Sequence, residues 1–117
     1  MSNRPINPLV LREIVTQDMR IELDDLLSTR RGAKIPFARA VITVALHDIG
    51  EYSFPEIARG IGGRSHSTLI EAANRLRKGD YDTDARTLFE EAIDAMDYTR
   101  WVYNRALEMS QIDRGAA

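Results

Sequence analysis

Gly62-Gly63-Arg64-Ser65-His66-Ser67-Thr68 lies between two short amphipathic segments and has the pattern of a tight turn that leads into a helix. The two glycines permit a turn with positive φ. Ser65 is a good helix N-cap, because its hydroxyl can accept a hydrogen bond from a free N–H of the first turn. The apolar residues that follow recur at helical spacing, at Leu69, Ala72, Ala73 and Leu76. The sequence therefore predicts a helix with one buried face and a polar N-terminus.

The segment before this turn predicts a second, shorter helix. Ser53-Phe54-Pro55-Glu56 is a capping-box pattern, and its proline falls in the first turn, where a missing N–H is harmless. Ile57 and Ile61 then share one face. A short helix, a glycine turn and a helix with a polar N-terminus form the helix-turn-helix unit that places its second helix in the major groove of DNA. An ordinary helical hairpin has the same spacing, and spacing alone slightly favours the hairpin.

The residues from about Asn7 to Lys78 resemble the C-terminal DNA-binding domain of the DnaA replication initiator family. The match has the family's order and spacing, without an insertion from Asp25 to Leu69. The resemblance implies an all-α, Trp-repressor-like helix-turn-helix that binds double-stranded DNA. The family's AAA+ ATPase domain has no counterpart in this chain. The matching elements are Asp25-Leu26-Leu27-Ser28, Arg30-Arg31, Ala38-Arg39, Ser53-Phe54-Pro55-Glu56-Ile57 and the run 62–68.

The resemblance also implies a role for individual residues. Arg31 matches an arginine that enters the minor groove, and Arg39 matches one that contacts phosphate. Phe54 and Pro55 match helix-start residues that approach the DNA. Lys34 belongs to the basic loop 30–34, whose position beside the helix-turn-helix favours contact with DNA over a merely solvated loop. The expected DNA-binding residues are Arg31, Lys34, Arg39, Phe54, Pro55, Arg64, Ser65, His66, Ser67 and Thr68.

The chain departs from the family at several of these positions. Ser65 stands where the family has an aspartate that takes part in base recognition, and a hydroxyl can donate as well as accept. Phe54 replaces the usual leucine. His47 stands where lysine is common, and Ala33 and Phe37 replace basic residues. We therefore expect a changed preferred DNA sequence and fewer phosphate contacts, hence weaker binding.

Composition narrows the class of protein. The 117 residues suffice for one modest hydrophobic core. The chain has no cysteine and only two histidines, so we expect no disulfide, metal site or cofactor. It has neither an apolar run of membrane-span length nor a signal-peptide pattern at its N-terminus, so we expect a cytoplasmic, nucleoid-associated protein. Residues 1–78 hold 12 Lys/Arg and 9 Asp/Glu, whereas residues 79–117 hold 4 and 9. The expected DNA reader is thus basic and the remainder acidic.

The charge change coincides with the expected division into a DNA-binding domain, residues 1–79, and an acidic helical extension, residues 80–117. We expect the extension to form one long helix from Ala85 to about Met109, ~37 Å in length. Tyr98, Trp101 and Val102 lie away from the apolar stripe of that helix. They predict an oligomer interface, most simply a homodimer. A helix that bends and wraps the core is the equally weighted alternative.

No motif in the chain favours catalysis. The glycines at 60, 62 and 63 lack the Gly-Lys-Ser/Thr of a nucleotide-binding loop, so no bound nucleotide is expected. The Ser65-His66-Ser67 run lacks a third group that would orient the histidine. The favoured function is sequence-specific binding of double-stranded DNA in replication initiation, its regulation or transcriptional regulation. The alternative is a protein-interaction adaptor that keeps the fold and contacts a replication or regulatory protein.

Overall fold

The computed structural model describes residues 6–28, 32, 34–62, 65–90 and 92–115, with the side chains of 111–115 excepted. This part of the chain contains helices and no strand, which confirms the all-α fold. Gly63 and two of the predicted DNA contacts, Arg31 and Arg64, lie outside the described residues. The helices are α1 Pro8–Met19, α2 Leu23–Leu27, α3 Ile35–Val44, α4 Phe54–Gly60, α5 His66–Arg77, α6 Asp82–Phe89 and α7 Ala95–Gly115.

The first two helices begin in different ways. The Asn7 side chain accepts a hydrogen bond from the N–H of Leu9 at 3.0 Å and so caps the start of α1. Helix α2 begins without such a cap. Glu22 precedes that helix without a side-chain cap hydrogen bond, and Asp24 and Asp25 lie in its first turn. Carboxylates are favourable there because they face the positive end of the helix dipole.

Helix α3 is the centre of the hydrophobic core. Phe37, Ala38, Val41 and Ile42 are all at most 2% exposed. The helix continues as a π-helical segment, Ala45–Ile49, so the helical stretch runs from Ile35 to Ile49. Helices α1, α5 and α7 pack around α3. Its nearly all-apolar sequence follows from this central position, because each face meets another helix.

The predicted long C-terminal helix is present as α7, but its predicted start at Ala85 is wrong, because the chain forms two helices there. Helix α6 ends at Phe89, and the following residue, Glu90, has left-handed backbone angles, with φ 54°, and donates its N–H to Arg86 O at 2.8 Å. Helix α7 then begins at Ala95, whose N–H donates to the Asp82 carboxylate at 2.9 Å. Another carboxylate, that of Asp94, accepts from the N–H of Asp97 at 2.7 Å. These bonds provide acceptors for N–H groups in the first turn of α7, which have no partner within the helix. A new helix can therefore begin there.

Two of the three residues predicted for an oligomer interface belong to the core. Tyr98 and Val102 are 2% and 0% exposed, so neither is accessible to a partner. The Tyr98 hydroxyl donates to the Asp18 carboxylate at 3.0 Å, and burial, reinforced by that carboxylate, raises its pKa. Trp101 alone remains accessible, at 46% exposure. The expectation failed because α7 follows a break, so its faces are turned differently from those of one continuous helix.

Helix α7 packs into the same hydrophobic core as the predicted DNA-binding segment. The Tyr98 ring lies 6.3 Å from that of Phe37 and 4.4 Å from that of Phe89, measured between ring centroids. The division predicted at residue 79 therefore separates two stretches of sequence that share one core. No helix in the described ranges is long and apolar enough to cross a membrane.

Gly62 lies in the turn between α4 and α5, close to the backbone at the end of α2. Its φ is +91°, and a Cβ added there would lie 2.2 Å from the carbonyl oxygen of Leu27 at the end of α2. Both the backbone angle and the contact exclude a side chain. The glycine turn predicted from the sequence is confirmed, and the structure adds the approach of α2 as a second reason for glycine.

We predict that Gly62→Ala lowers the free energy of unfolding by at least ~2 kcal/mol, because the methyl group meets backbone that cannot easily move. Gly60→Ala is the matched control, since a Cβ at Gly60 would have no atom within 4 Å. The control should change stability by no more than about 1 kcal/mol. Urea unfolding measures both. Equal effects of the two substitutions would contradict this account of the turn.

Candidate nucleic-acid interface

The N-terminus of α4 is held by the capping box predicted from the sequence. The Ser53 hydroxyl accepts from the N–H of Glu56 at 3.3 Å, and the Glu56 carboxylate accepts from the N–H of Ser53 at 3.2 Å. The two bonds fix the direction in which the chain enters α4. Phe54 and the exposed Pro55 form the first turn. The two apolar residues predicted to approach DNA are therefore held at a rigid helix start.

The N-terminus of α5 carries the predicted reading residues. The Ser65 hydroxyl accepts from the N–H of Thr68 at 3.3 Å, which confirms the predicted N-cap, and lies 2.8 Å from the Thr68 hydroxyl. His66, Ser67 and Thr68 are exposed, whereas Leu69 is 1% exposed. The unpaired amides of the first turn and the positive end of the helix dipole lie beside these side chains. Such a terminus suits hydrogen bonds to phosphates and base edges.

An apolar side chain extends this surface along α5. Ile70 is 43% exposed and lies one turn beyond His66 and Ser67. It was not among the predicted site residues. A period-3.6 pattern could have found it, because isoleucine here lies off the buried stripe of Leu69, Ala73 and Leu76. Glu71 and Asn74 are also exposed, as their spacing predicts.

Two predicted phosphate contacts are bonded to the protein's own backbone. The Arg39 guanidinium donates to Leu26 O from Nε at 3.1 Å and from Nη2 at 2.9 Å, and Nη2 also donates to Ser28 O. Lys34 Nζ donates to Met19 O at 3.1 Å. The Arg39 acceptors are carbonyls at the end of α2, which lack partners within the helix. Arg39 and Lys34 thus fix the chain on either side of the basic loop.

A series of side-chain contacts, which the sequence did not predict, links the start of α4 to the end of α5. The His47 ring stacks on Phe54, with ring centroids 4.2 Å apart and planes 12° apart. His47 Nδ1 lies 3.0 Å from an oxygen of Asp48, whose carboxylate accepts from Arg77 at 2.8 and 2.6 Å. Arg77 also donates to the side chain of Asn74 at 2.9 Å. Asp48 and Arg77 are 29 residues apart, so no local pattern predicts the pair.

These contacts also shift the pKa values of the two charged side chains, Asp48 and Arg77. The Arg77 hydrogen bonds, which outweigh partial burial, hold the pKa of Asp48 below its ordinary value of 3.8. The same bonds raise the pKa of Arg77. The ion pair therefore stays formed at neutral pH and ties the last turn of α5 to the π-helical end of α3. The reading helix is fixed at its C-terminal end by this pair and at its N-terminal end by Ser65.

The geometry of α4, its glycine turn and α5 defines a helix-turn-helix protein, with a capped and exposed N-terminus on the second helix. Comparison with known proteins gives the family. Residues 10–76 match the family model described as bacterial dnaA protein helix-turn-helix. The match covers more than half of the chain, and the chain therefore belongs to this family.

The curated relatives are chromosomal replication initiator proteins. The DnaA protein of Psychromonas ingrahamii is 29% identical over 68 residues, which cover 58% of this chain and 15% of the relative. The DnaA protein of Rippkaea orientalis is 28% identical over 74 residues, which cover 63% of this chain and 16% of the relative. The chain thus matches less than one fifth of the length of each relative.

We predict that Asp48→Asn lowers the free energy of unfolding at pH 7 by ~0.5–1 kcal/mol, because two hydrogen bonds to a charged acceptor are weakened. Asp48 has a lowered pKa in the folded state, so its contribution is complete above the unfolded pKa and is lost as pH falls. The difference between wild type and variant should thus shrink between about pH 5 and pH 3.

The control for this prediction is Asp97→Asn. Asp97 pairs with Arg100 at 3.4 Å within one helix and on the surface. Its loss should change stability by less than about 0.5 kcal/mol. Thermal unfolding across the pH range measures both variants. A difference between wild type and Asp48→Asn that stays constant down to pH 3 would show that the carboxylate charge is not the cause.

Proposed function

We propose that the protein binds double-stranded DNA in a sequence-specific manner. The supporting observation is the N-terminus of α5, where His66, Ser67 and Thr68 are exposed on a capped helix. These are the positions that resemble the base-reading and phosphate-reading residues of DnaA proteins. Because caps hold both α4 and α5, the surface is preorganised and little conformational entropy is lost on binding.

In the proposed complex α5 lies in the major groove. Short polar side chains at its N-terminus contact base edges and phosphate, and Ile70 supplies an apolar contact of the kind that thymine methyl groups accept. Pro55 and the first amides of α4 approach the sugar-phosphate backbone. Arg31 and Arg64 match DNA-contacting arginines of the family, and we propose that Arg31 enters the minor groove. These two arginines enter the proposal through the resemblance alone.

The relatives support a proposal for the biological role. Both are chromosomal replication initiator proteins, so we propose a role in replication initiation or its regulation, with transcriptional regulation as the other use of such a reader. We further propose that the protein is not an enzyme, that it works in the cytoplasm at the nucleoid, and that a replication protein is a second partner. Net charge supports modest affinity, since residues 1–78 carry 12 basic and 9 acidic side chains.

A protein-interaction adaptor is the second candidate function. Its support is the use of Arg39 and Lys34 on backbone carbonyls, which leaves fewer cations for phosphate. The exposed Trp101 gives it a surface for a protein partner. The two functions differ in their dependence on α5, because only a DNA reader requires the side chains of its first turn.

We predict that His66→Ala and Thr68→Ala each weaken binding to the best duplex from a random pool by ~1–3 kcal/mol, because each removes a contact to a base or phosphate. Fluorescence anisotropy at fixed salt measures the affinity. Thr87→Ala is the control, since Thr87 is an exposed threonine in α6, outside the helix-turn-helix. If wild type selects no sequence, or if all three variants bind equally, the DNA-reading proposal fails and the adaptor is favoured.

We predict that Ser65→Asp moves the selected sequence toward the DNA box of the DnaA family. Aspartate caps a helix about as well as serine, so α5 should keep its start while the group near the base edge becomes acceptor-only. Selection from a random duplex pool, run in parallel on both proteins, measures the preference. Ser65→Ala is the control, because it removes the cap and should cost about 1 kcal/mol of stability without creating the new preference. An identical selected sequence for wild type and Ser65→Asp would exclude position 65 from base recognition.

A further inference from the structure

Helices α1 and α7 pack side by side and antiparallel, at levels fixed by two hydrogen bonds. The N–H of Asn7 donates to the Ser110 hydroxyl at 2.9 Å, and the Tyr98 hydroxyl donates to Asp18 at 3.0 Å. The start of α1 therefore lies beside residue 110, and its end lies beside residue 98. Because both helices rise equally per residue, every level between these ends is also fixed.

Each of the two helices presents an exposed stripe on either side of the groove between them. On α1 the stripe is Leu9, Glu13 and Gln17, and on α7 it is Trp101, Arg105 and Met109, each spaced by four residues. We call these six residues the α1/α7 face. Leu9, Trp101 and Met109 are 57%, 46% and 42% exposed, and they are three of the five large apolar side chains exposed in the described part of the chain. Such a concentration on one face is typical of an interaction surface.

We propose that the α1/α7 face packs against the same face of a second copy of this chain, about a two-fold axis parallel to the helices. That rotation places α1 of each copy over α7 of the other, antiparallel, and keeps every level unchanged. Leu9 then meets Met109 of the partner, Glu13 meets Arg105, and Gln17 meets Trp101. Each pair occurs twice, and the four helices form an antiparallel bundle.

Charge selects this arrangement. Glu13 and Arg105 line the same groove, on its opposite walls. A two-fold axis parallel to the helices brings these opposite charges together across the interface. An axis perpendicular to the helices would instead stack α1 on α1 and set Glu13 near its own copy, which is repulsive. The face is therefore complementary to itself in only one of the two orientations.

The side chains at the centre of the face are already partly ordered within one chain. The Arg105 guanidinium lies over the Trp101 ring, 4.9 Å from the ring centroid, and Gln17 donates to the Glu13 carboxylate at 3.2 Å. Ordering before contact lowers the entropy lost on association. The face includes no residue of α4 or α5, so the proposed dimer carries two accessible reading helices. The dimer itself does not depend on DNA binding.

Charge reversal at the central pair tests the proposal. Sedimentation of the full chain at micromolar concentration, without DNA, should show a wild-type dimer. Glu13→Arg and Arg105→Glu should each weaken dimerisation by about tenfold or more, because each variant places two like-charged pairs in its own dimer. An equal mixture of the two variants should restore a mixed dimer with affinity near that of wild type. In the mixed dimer the introduced arginine faces the introduced glutamate, and the unchanged Glu13 and Arg105 face each other.

Arg100→Glu is the matched control. It makes the same charge reversal on the same helix, at an exposed position about 140° around the axis from Arg105. It should leave the dimer unchanged, and circular dichroism checks that all variants keep their helices. A wild-type chain that sediments as a monomer would overturn the proposal. So would two single variants that dimerise as wild type does, or a mixture that fails to recover the dimer.

Discussion

The carbonyl groups at the end of α2 fix the position of the helix-turn-helix formed by α4 and α5. Gly62 can approach Leu27 O only because it has no side chain, and this contact sets the α4–α5 turn against α2. On the other side, Arg39 donates to Leu26 O and to Ser28 O. One five-residue helix thus meets the helix-turn-helix through a glycine and α3 through an arginine. A helix that short has little stability alone, so its position depends on these contacts.

Helix α5 is held at its two ends by different kinds of interaction. At the N-terminus, Ser65 satisfies an amide locally, within one turn. At the C-terminus, Arg77 reaches Asp48 on another helix through two short hydrogen bonds. His47 extends the contact to Phe54 at the start of α4 by ring stacking. The two helices of the reading unit are consequently held relative to each other by side chains that need not touch DNA themselves.

The acidic C-terminal segment is part of the fold. The break after Phe89 turns α7 so that Tyr98 and Val102 enter the core, and the Tyr98 hydroxyl reaches Asp18 on α1. The same break leaves Trp101, on another side of α7, exposed beside α1. Packing and surface presentation on α7 therefore both follow from the interruption between α6 and α7.

The sequence alone determined the elements that depend on neighbouring residues. Ser53 and Ser65 were predicted as caps, and each makes its cap hydrogen bond, because capping involves atoms only three residues apart. The glycine turn followed from the same local rules, and the resemblance, above all of the 62–68 run, supplied the family and the expectation of an all-α fold. The tertiary structure alone decided the break between α6 and α7, the burial of Tyr98 and Val102, and the Asp48–Arg77 pair. These features join residues far apart in the chain, and a pattern of periodicity contains no information about which distant groups will meet.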